Sequence, residues 1–178
     1  SSEVGAKFIV AGGMDRRGLG VEVGAKFNMW SSAEQYDPLT EKWTTVASMN
    51  INRRAAVGVA LGGKFIVAGG MQKLPDFEGQ DEASVEQYDP LTNKWTYLAP
   101  MSYAHTDTVG VALGGKLIVA AGCCSSQTEV YDPITDKWTT VARMTYQRRG
   151  PAGAALEGKF IVAGGYNSHR STVVEQYD

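Results

Sequence analysis

One octapeptide constrains this chain more than any other feature. YDPLTEKW at 36–43 returns as YDPLTNKW at 88–95 and YDPITDKW at 131–138, and a fourth copy starts at Tyr177-Asp178. A catalytic motif is rarely needed more than once, whereas a structural unit recurs as often as its architecture does. The flanks repeat in register. Upstream lie GAKFIVAGG (5–13), GGKFIVAGG (62–70), GGKLIVAAG (114–122) and EGKFIVAGG (157–165), and the tryptophans Trp43, Trp95 and Trp138 follow at spacings of 52 and 43. A period near 50 with that spread predicts a repeat architecture with insertions in one loop. The units fall at about 1–49, 50–101, 102–144 and 145–178.

Each unit reads as four short strands, a to d, of the types Ala56–Leu61, Lys64–Ala68, Val85–Tyr88 and Trp95–Leu98. β-Branched and aromatic residues fill these runs, turn formers separate them, and no segment keeps a helical apolar period. Gly62-Gly63 suits a tight a–b turn, and Asp89-Pro90-Leu91-Thr92 is turn chemistry in which the proline also ends strand c. Strand b is expected between a and c. The chain begins in strand b and ends in strand c, which makes fourteen strands.

The pair Gly69-Gly70 closes strand b with no Cβ atoms, so a neighbouring backbone or ring can approach closely. The repeated Tyr88, Trp43, Trp95 and Trp138 are the expected fillers. Burying one such ring removes roughly 150–250 Å² from water, worth at most about 4–6 kcal/mol.

The double glycine, Tyr-Asp-Pro and Trp at this period resemble the Kelch repeat, which builds one four-stranded blade of a β-propeller per repeat. A WD40 propeller fits less well, because the three repeat tryptophans are followed by Thr and never by Asp. Ala121 stands where the other units have the first glycine of the pair. The resemblance implies an all-β, Kelch-type propeller of about three and a half antiparallel blades, either a part of a larger ring or a ring closed by oligomerisation. Open strand edges at both ends predict self-association. EVGAKF occurs at 3–8 and again at 22–27, so the first unit carries an insertion that includes Trp30.

Charge and motif content narrow the function. With 17 basic and 19 acidic residues, there is no basic excess of the kind that nucleic acid or a membrane surface attracts. The longest apolar runs are too short to cross a bilayer. The chain opens on Ser-Ser rather than Met, which predicts a fragment or a processed chain. Cys123 and Cys124 are adjacent, a poor geometry for an ordinary disulfide, and are read as reduced thiols in a cytoplasmic protein. GVALGGK (58–64), GVALGGK (110–116) and GAALEGK (153–159) imitate a phosphate-binding loop, but Phe65, Leu117 and Phe160 replace the required Ser/Thr and a hairpin is predicted there. His105 and His169 lack zinc-site spacing. Expected, then, are no cofactor, no metal and no enzymatic activity. The copper-radical oxidases of the family need Tyr and His ligands that are not apparent here.

Function is expected on one face. In an antiparallel meander the uniform a–b and c–d turns share one face, and the variable b–c and d–a loops share the other. A rigid scaffold with variable loops on one face is the general design of a binding module. In the d–a loops Arg53-Arg54 aligns with His105-Thr106 and Arg148-Arg149, and the last b–c loop begins at Tyr166-Asn167. In the BTB-Kelch adaptors of cullin-RING ubiquitin ligases, arginines at the start of strand a contact the substrate's degron. The resemblance implies that role for Arg54 and Arg149; Thr106 departs from it. The expected partner is a protein or peptide, and an acidic one would suit the arginines. The alternative is a cytoskeletal, actin-binding or scaffolding Kelch protein.

Overall fold

The computed structural model describes residues 8–12, 14–15, 28–74, 77–123, 125–166 and 173–178. The described residues contain no helix. Their strands are β1 (Phe8–Ala11), β2 (Met14–Asp15), β3 (Asn28–Met29), β4 (Ala33–Asp37), β5 (Lys42–Val46), β6 (Val57–Leu61), β7 (Lys64–Ala68), β8 (Met71–Leu74) and β9 (Phe77–Asp81). There follow β10 (Val85–Asp89), β11 (Lys94–Leu98), β12 (Val109–Leu113), β13 (Lys116–Ala120), β14 (Thr128–Asp132), β15 (Lys137–Val141), β16 (Ala152–Leu156), β17 (Lys159–Ala163) and β18 (Val174–Tyr177).

Four antiparallel sheets follow one another as blades of a propeller: β1-β4-β5, β6-β7-β10-β11, β12-β13-β14-β15 and β16-β17-β18. Strand b lies between a and c wherever both are present, and the fourteen blade strands are those read from the repeat. The innermost strands β6, β12 and β16 lie side by side. β6 and β12 read Val-Gly-Val-Ala-Leu and β16 reads Ala-Gly-Ala-Ala-Leu, and these small residues explain the approach. Val57, Val59, Val109 and Val111 are buried, while the small residues between them let the next blade come close.

Two features depart from the sequence reading. The b–c connections of the first two blades, read as loops, carry two-stranded ribbons, β2–β3 and β8–β9. The glycine pair also serves a different neighbour. A Cβ on Gly69 (φ +68°) would stand 2.3 Å from the His105 carbonyl oxygen, and one on Gly70 (φ +89°) 2.7 Å from that of Arg54. The space belongs to the backbone of the d–a linkers rather than to Tyr or Trp rings. Gly70 N–H donates to the His105 carbonyl at 2.7 Å. Most of the EVGAKF duplication lies outside the described residues.

The aromatic residues join blades in another way. Trp95 Nε1 donates to the Ala47 carbonyl of the preceding blade at 2.6 Å, and Trp138 Nε1 to that of Ala99 at 2.8 Å. Asn93, in the left-handed region at φ 52°, turns its Oδ1 to accept from Ala47 N–H and from the Tyr88 hydroxyl, at 2.9 and 3.0 Å. Asp136 does the same for Ala99 N–H and Tyr131. Burial, and then the hydrogen bond to Asp136, push the Tyr131 hydroxyl well above the ordinary tyrosine range.

Candidate functional site: the d–a linker rim

The three d–a linkers run past the b–c connections to the innermost strands. At the inner end they are tied together: Asp107 N–H donates to the Ala55 carbonyl at 3.0 Å, and Gly150 N–H to the Asp107 carbonyl at 2.8 Å. Ala55, Asp107 and Gly150 all hold φ near +55° to +60°. The residues just before them, Arg54, Thr106 and Arg149, therefore occupy equivalent places on the rim. The residues one step earlier, Arg53, His105 and Arg148, turn the other way.

Arg53, His105 and Arg148 are each 1% exposed, so as members of a binding surface they are corrected by the structure. Arg53 Nη2 and Glu86 Oε1 form an ion pair at 3.1 Å, while Nη1 donates to the carbonyls of Gly69 and Ser84 at 2.8 and 3.0 Å. Arg148 repeats this arrangement with Glu175 at 2.8 Å and with the carbonyls of Gly164 and Val173. His105 takes the same seat in the third blade. Its Nδ1 donates to the Ala121 carbonyl at 2.9 Å, and Nε2 lies 3.2 Å from Glu129. A buried charge is tolerated only when it is paired and its other hydrogen-bonding sites are filled. Strand c and the end of strand b supply those partners.

The glutamates were missed by the sequence reading, although the signal was present. Glu34, Glu86, Glu129 and Glu175 each stand two residues before the tyrosine of the octapeptide. Their second task is to hold the linker itself. Glu86 accepts from Asn50 N–H at 2.7 Å, Glu129 from Ser102 and Tyr103 N–H at 2.8 and 3.1 Å, and Glu175 from Thr145 N–H at 2.6 Å. Burial pushes the Glu129 carboxyl up, but the bonds from His105, Ser102 and Tyr103 outweigh it and hold the group below the ordinary range. Glu175 is likewise lowered, by Arg148 and Thr145 against the effect of burial.

Thr106 is also buried, with its hydroxyl 2.9 Å from the Gly70 carbonyl and 2.7 Å from Asp81 Oδ1. It gives a partner no accessible group. Three of the expected residues remain on the rim. Arg149 is half-exposed and its Nε donates to Asp107. Tyr166 is 67% exposed and bridges Arg149 through paired backbone hydrogen bonds of 2.9 Å. Arg54 bridges Met71, at the base of the β8–β9 ribbon, in the same manner. Asn167 lies outside the described residues.

Arg54 differs from Arg149 in one respect. Its Nε is buried with no hydrogen-bond partner among the described residues, and its Nη2 faces the Met71 sulfur at 2.7 Å. A thioether is a weak acceptor. The guanidinium thus sits at the rim with a poorly matched Nη2, which suits an added carboxylate or phosphate oxygen.

Comparison with known proteins fits this architecture. The model of the Kelch motif matches residues 31–50, 52–102 and 105–145. Kelch-like protein 25 of Xenopus tropicalis is 32% identical over 123 residues, 67% of this chain and 19% of that protein. Kelch-like protein 7 of Rattus norvegicus is 34% identical over 92 residues, 52% of this chain and 15% of that protein. The chain thus spans about a fifth or less of the length of these curated relatives. The solved structure of YjhT superposes with a TM-score of 0.68 over 76% of this chain and 52% of that one, at 20% identity. That likeness concerns the fold alone.

Proposed function

The chain belongs to the Kelch-repeat family, and from that premise we propose that it is a protein-interaction module that binds an acidic or phosphorylated segment at the linker rim. Arg54 carries this reading: a half-buried rim guanidinium whose Nη2 meets, among the described residues, the weakly accepting sulfur of Met71. Paired donors of this kind match carboxylate and phosphate geometry. Arg149 is the second contact, weaker because an incoming anion must compete with Asp107. Tyr166 adds an exposed ring beside it. As in the BTB-Kelch adaptors that the repeat resembles, the bound segment would be a substrate presented to a cullin-RING ubiquitin ligase.

The test is binding of acidic and phosphorylated peptide libraries to the wild-type chain, Arg54→Ala and Arg149→Ala. Removing an anchor costs on the order of 2 kcal/mol, about thirtyfold in affinity, and this is the expectation for Arg54→Ala. Arg149→Ala should lose less, and added salt should weaken binding to the wild type. Equal binding by wild type and Arg54→Ala would overturn the assignment.

A further inference from the structure

Methionine occupies two kinds of place in this chain. Met49, Met101 and Met144 recur at the start of the d–a linkers. Met49 and Met101 are buried; a Cβ on Gly12 would stand 3.2 Å from the Met49 Cε, and one on Gly69 3.2 Å from that of Met101. These methionines recur because they pack the blade. Met71 belongs to another position, the residue just after the glycine pair, which reads Met14, Met71, Cys123 and Tyr166 in the four units. Blade packing leaves the identity of that residue free, and the Met71 side chain is only partly buried.

The neighbours of the Met71 sulfur set its chemistry. Arg54 N–H donates to the Met71 carbonyl at 3.1 Å, and Met71 N–H to that of Arg54 at 2.9 Å. Residues paired in this way put their side chains on one face, and Arg54 Nη2 stands 2.7 Å from Sδ. On β9, Gly79 makes room for the sulfur, because a Cβ there would collide with Sδ. A thioether accepts a hydrogen bond only weakly, and its second lone pair remains available to an electrophile. Oxidation reverses that weakness, since a sulfoxide is polar and its oxygen is a strong acceptor.

We propose that Met71 is a redox-modification site whose oxidation by hydrogen peroxide turns Arg54 away from anions. A sulfur lone pair attacks one peroxide oxygen, the O–O bond breaks and an S–O bond forms. The sulfur is oxidised by two electrons, and the other oxygen leaves as water with both peroxide protons. The sulfoxide oxygen then accepts from the Arg54 guanidinium. A carboxylate or phosphate has to displace it, so affinity at the rim falls. That consequence rests on the anion-binding role proposed for Arg54, whereas the oxidation and the new contact stand without it. Methionine sulfoxide reductase reverses the step, with two thiols becoming a disulfide and the oxygen leaving as water. Arg149 is paired with Tyr166 instead, so the switch acts on one of the two rim arginines.

The full 178-residue chain is treated with limiting hydrogen peroxide, and each methionine is followed by peptide mass mapping. The side-chain Nε–H signal of Arg54 is read by NMR in the same samples. Met71 should oxidise roughly tenfold faster than the buried Met49 and Met101, and the Arg54 signal should move as the sulfoxide forms. Met71→Leu is a swap of similar volume that keeps Cys123 and Cys124, and there peroxide should leave the Arg54 signal in place. Titration with inorganic phosphate reads the rim. Oxidation should weaken its binding to the wild type by roughly threefold or more, and methionine sulfoxide reductase should restore it. Equal oxidation of Met71 and Met101, an Arg54 signal unmoved by the sulfoxide, or the same shift in Met71→Leu would overturn the proposal. So would an Arg54-dependent phosphate affinity that oxidation leaves unchanged. Phosphate that binds the unoxidised chain no better than Arg54→Ala counts against the rim reading instead, because the Arg54 shift is read without any ligand.

Discussion

Trp43 and Trp95 occupy the same place in their blades. Each ring meets its tyrosine, Tyr36 or Tyr88, at 5.2 or 5.3 Å with planes inclined at 41°. Yet Trp43 is 48% exposed and Trp95 8%. The octapeptide thus sets the geometry within a blade, while burial comes from the linker of the blade before it. Ala47 and Asn50 approach the second blade and accept or donate bonds to Trp95 and Glu86. The same contrast separates Glu86, which is fully buried, from Glu34, which is exposed. Octapeptides that differ only at Glu41 and Asn93, set in unequal surroundings, make the two blades a natural internal control.

The comparison breaks most sharply at the buried ion pair. Glu86→Ala strands the Arg53 guanidinium without its counter-charge and should cost about 3–5 kcal/mol, read by chemical denaturation. Glu34→Ala, on the exposed equivalent, should stay within about 0.5 kcal/mol. Next comes the ring. Trp95→Ala should cost about 3–4 kcal/mol through the cavity and the lost bond to Ala47, whereas Trp43→Ala should cost about 1 kcal/mol.

Acid sharpens the difference between paired and solvated carboxylates. Glu129 and Glu175 are held below their ordinary value when folded, so they contribute stability that is present above the unfolded carboxyl range. That stability drains away as pH falls below about 4.5 and through the lower folded values. Melting temperature followed through this window should drop, and less steeply for Glu129→Gln, which has already lost one of these titrations. The smallest effect concerns Ala121, which holds φ at +69° where the other blades have glycine. Ala121→Gly should gain up to about 1 kcal/mol by relieving left-handed strain, partly offset by the greater freedom of glycine when unfolded.

The order of strands and the turns were legible because each rests on short-range chemistry. Proline after Asp89 ends a strand wherever it occurs, and Gly62-Gly63 turns the chain at φ +59° and +75° as expected. The ribbons were less legible, because the β8–β9 segment includes Pro75, Gly79 and several charges, a composition shared with irregular loops. The candidate site was half legible. Its place on the d–a linkers was read from the repeat, but Arg53 and Arg54 are chemically the same residue in adjacent positions. Which one faces inward follows from the backbone at Ala55 and from the waiting carboxylate of Glu86, 33 residues away.

The sequence by itself determined that the chain is a series of antiparallel Kelch blades, since periodic glycine, proline and aromatic residues act through local sterics and repeat in register. Only the tertiary structure decided which equal residues are buried in structural pairs and which stay at the surface. Arg53 and Arg148 spend their donors on buried carboxylates and carbonyls, while Arg54 and Arg149 stay at the rim. Burial and pairing are properties of neighbours brought together across blades, and no repeat unit encodes the blade that stands beside it.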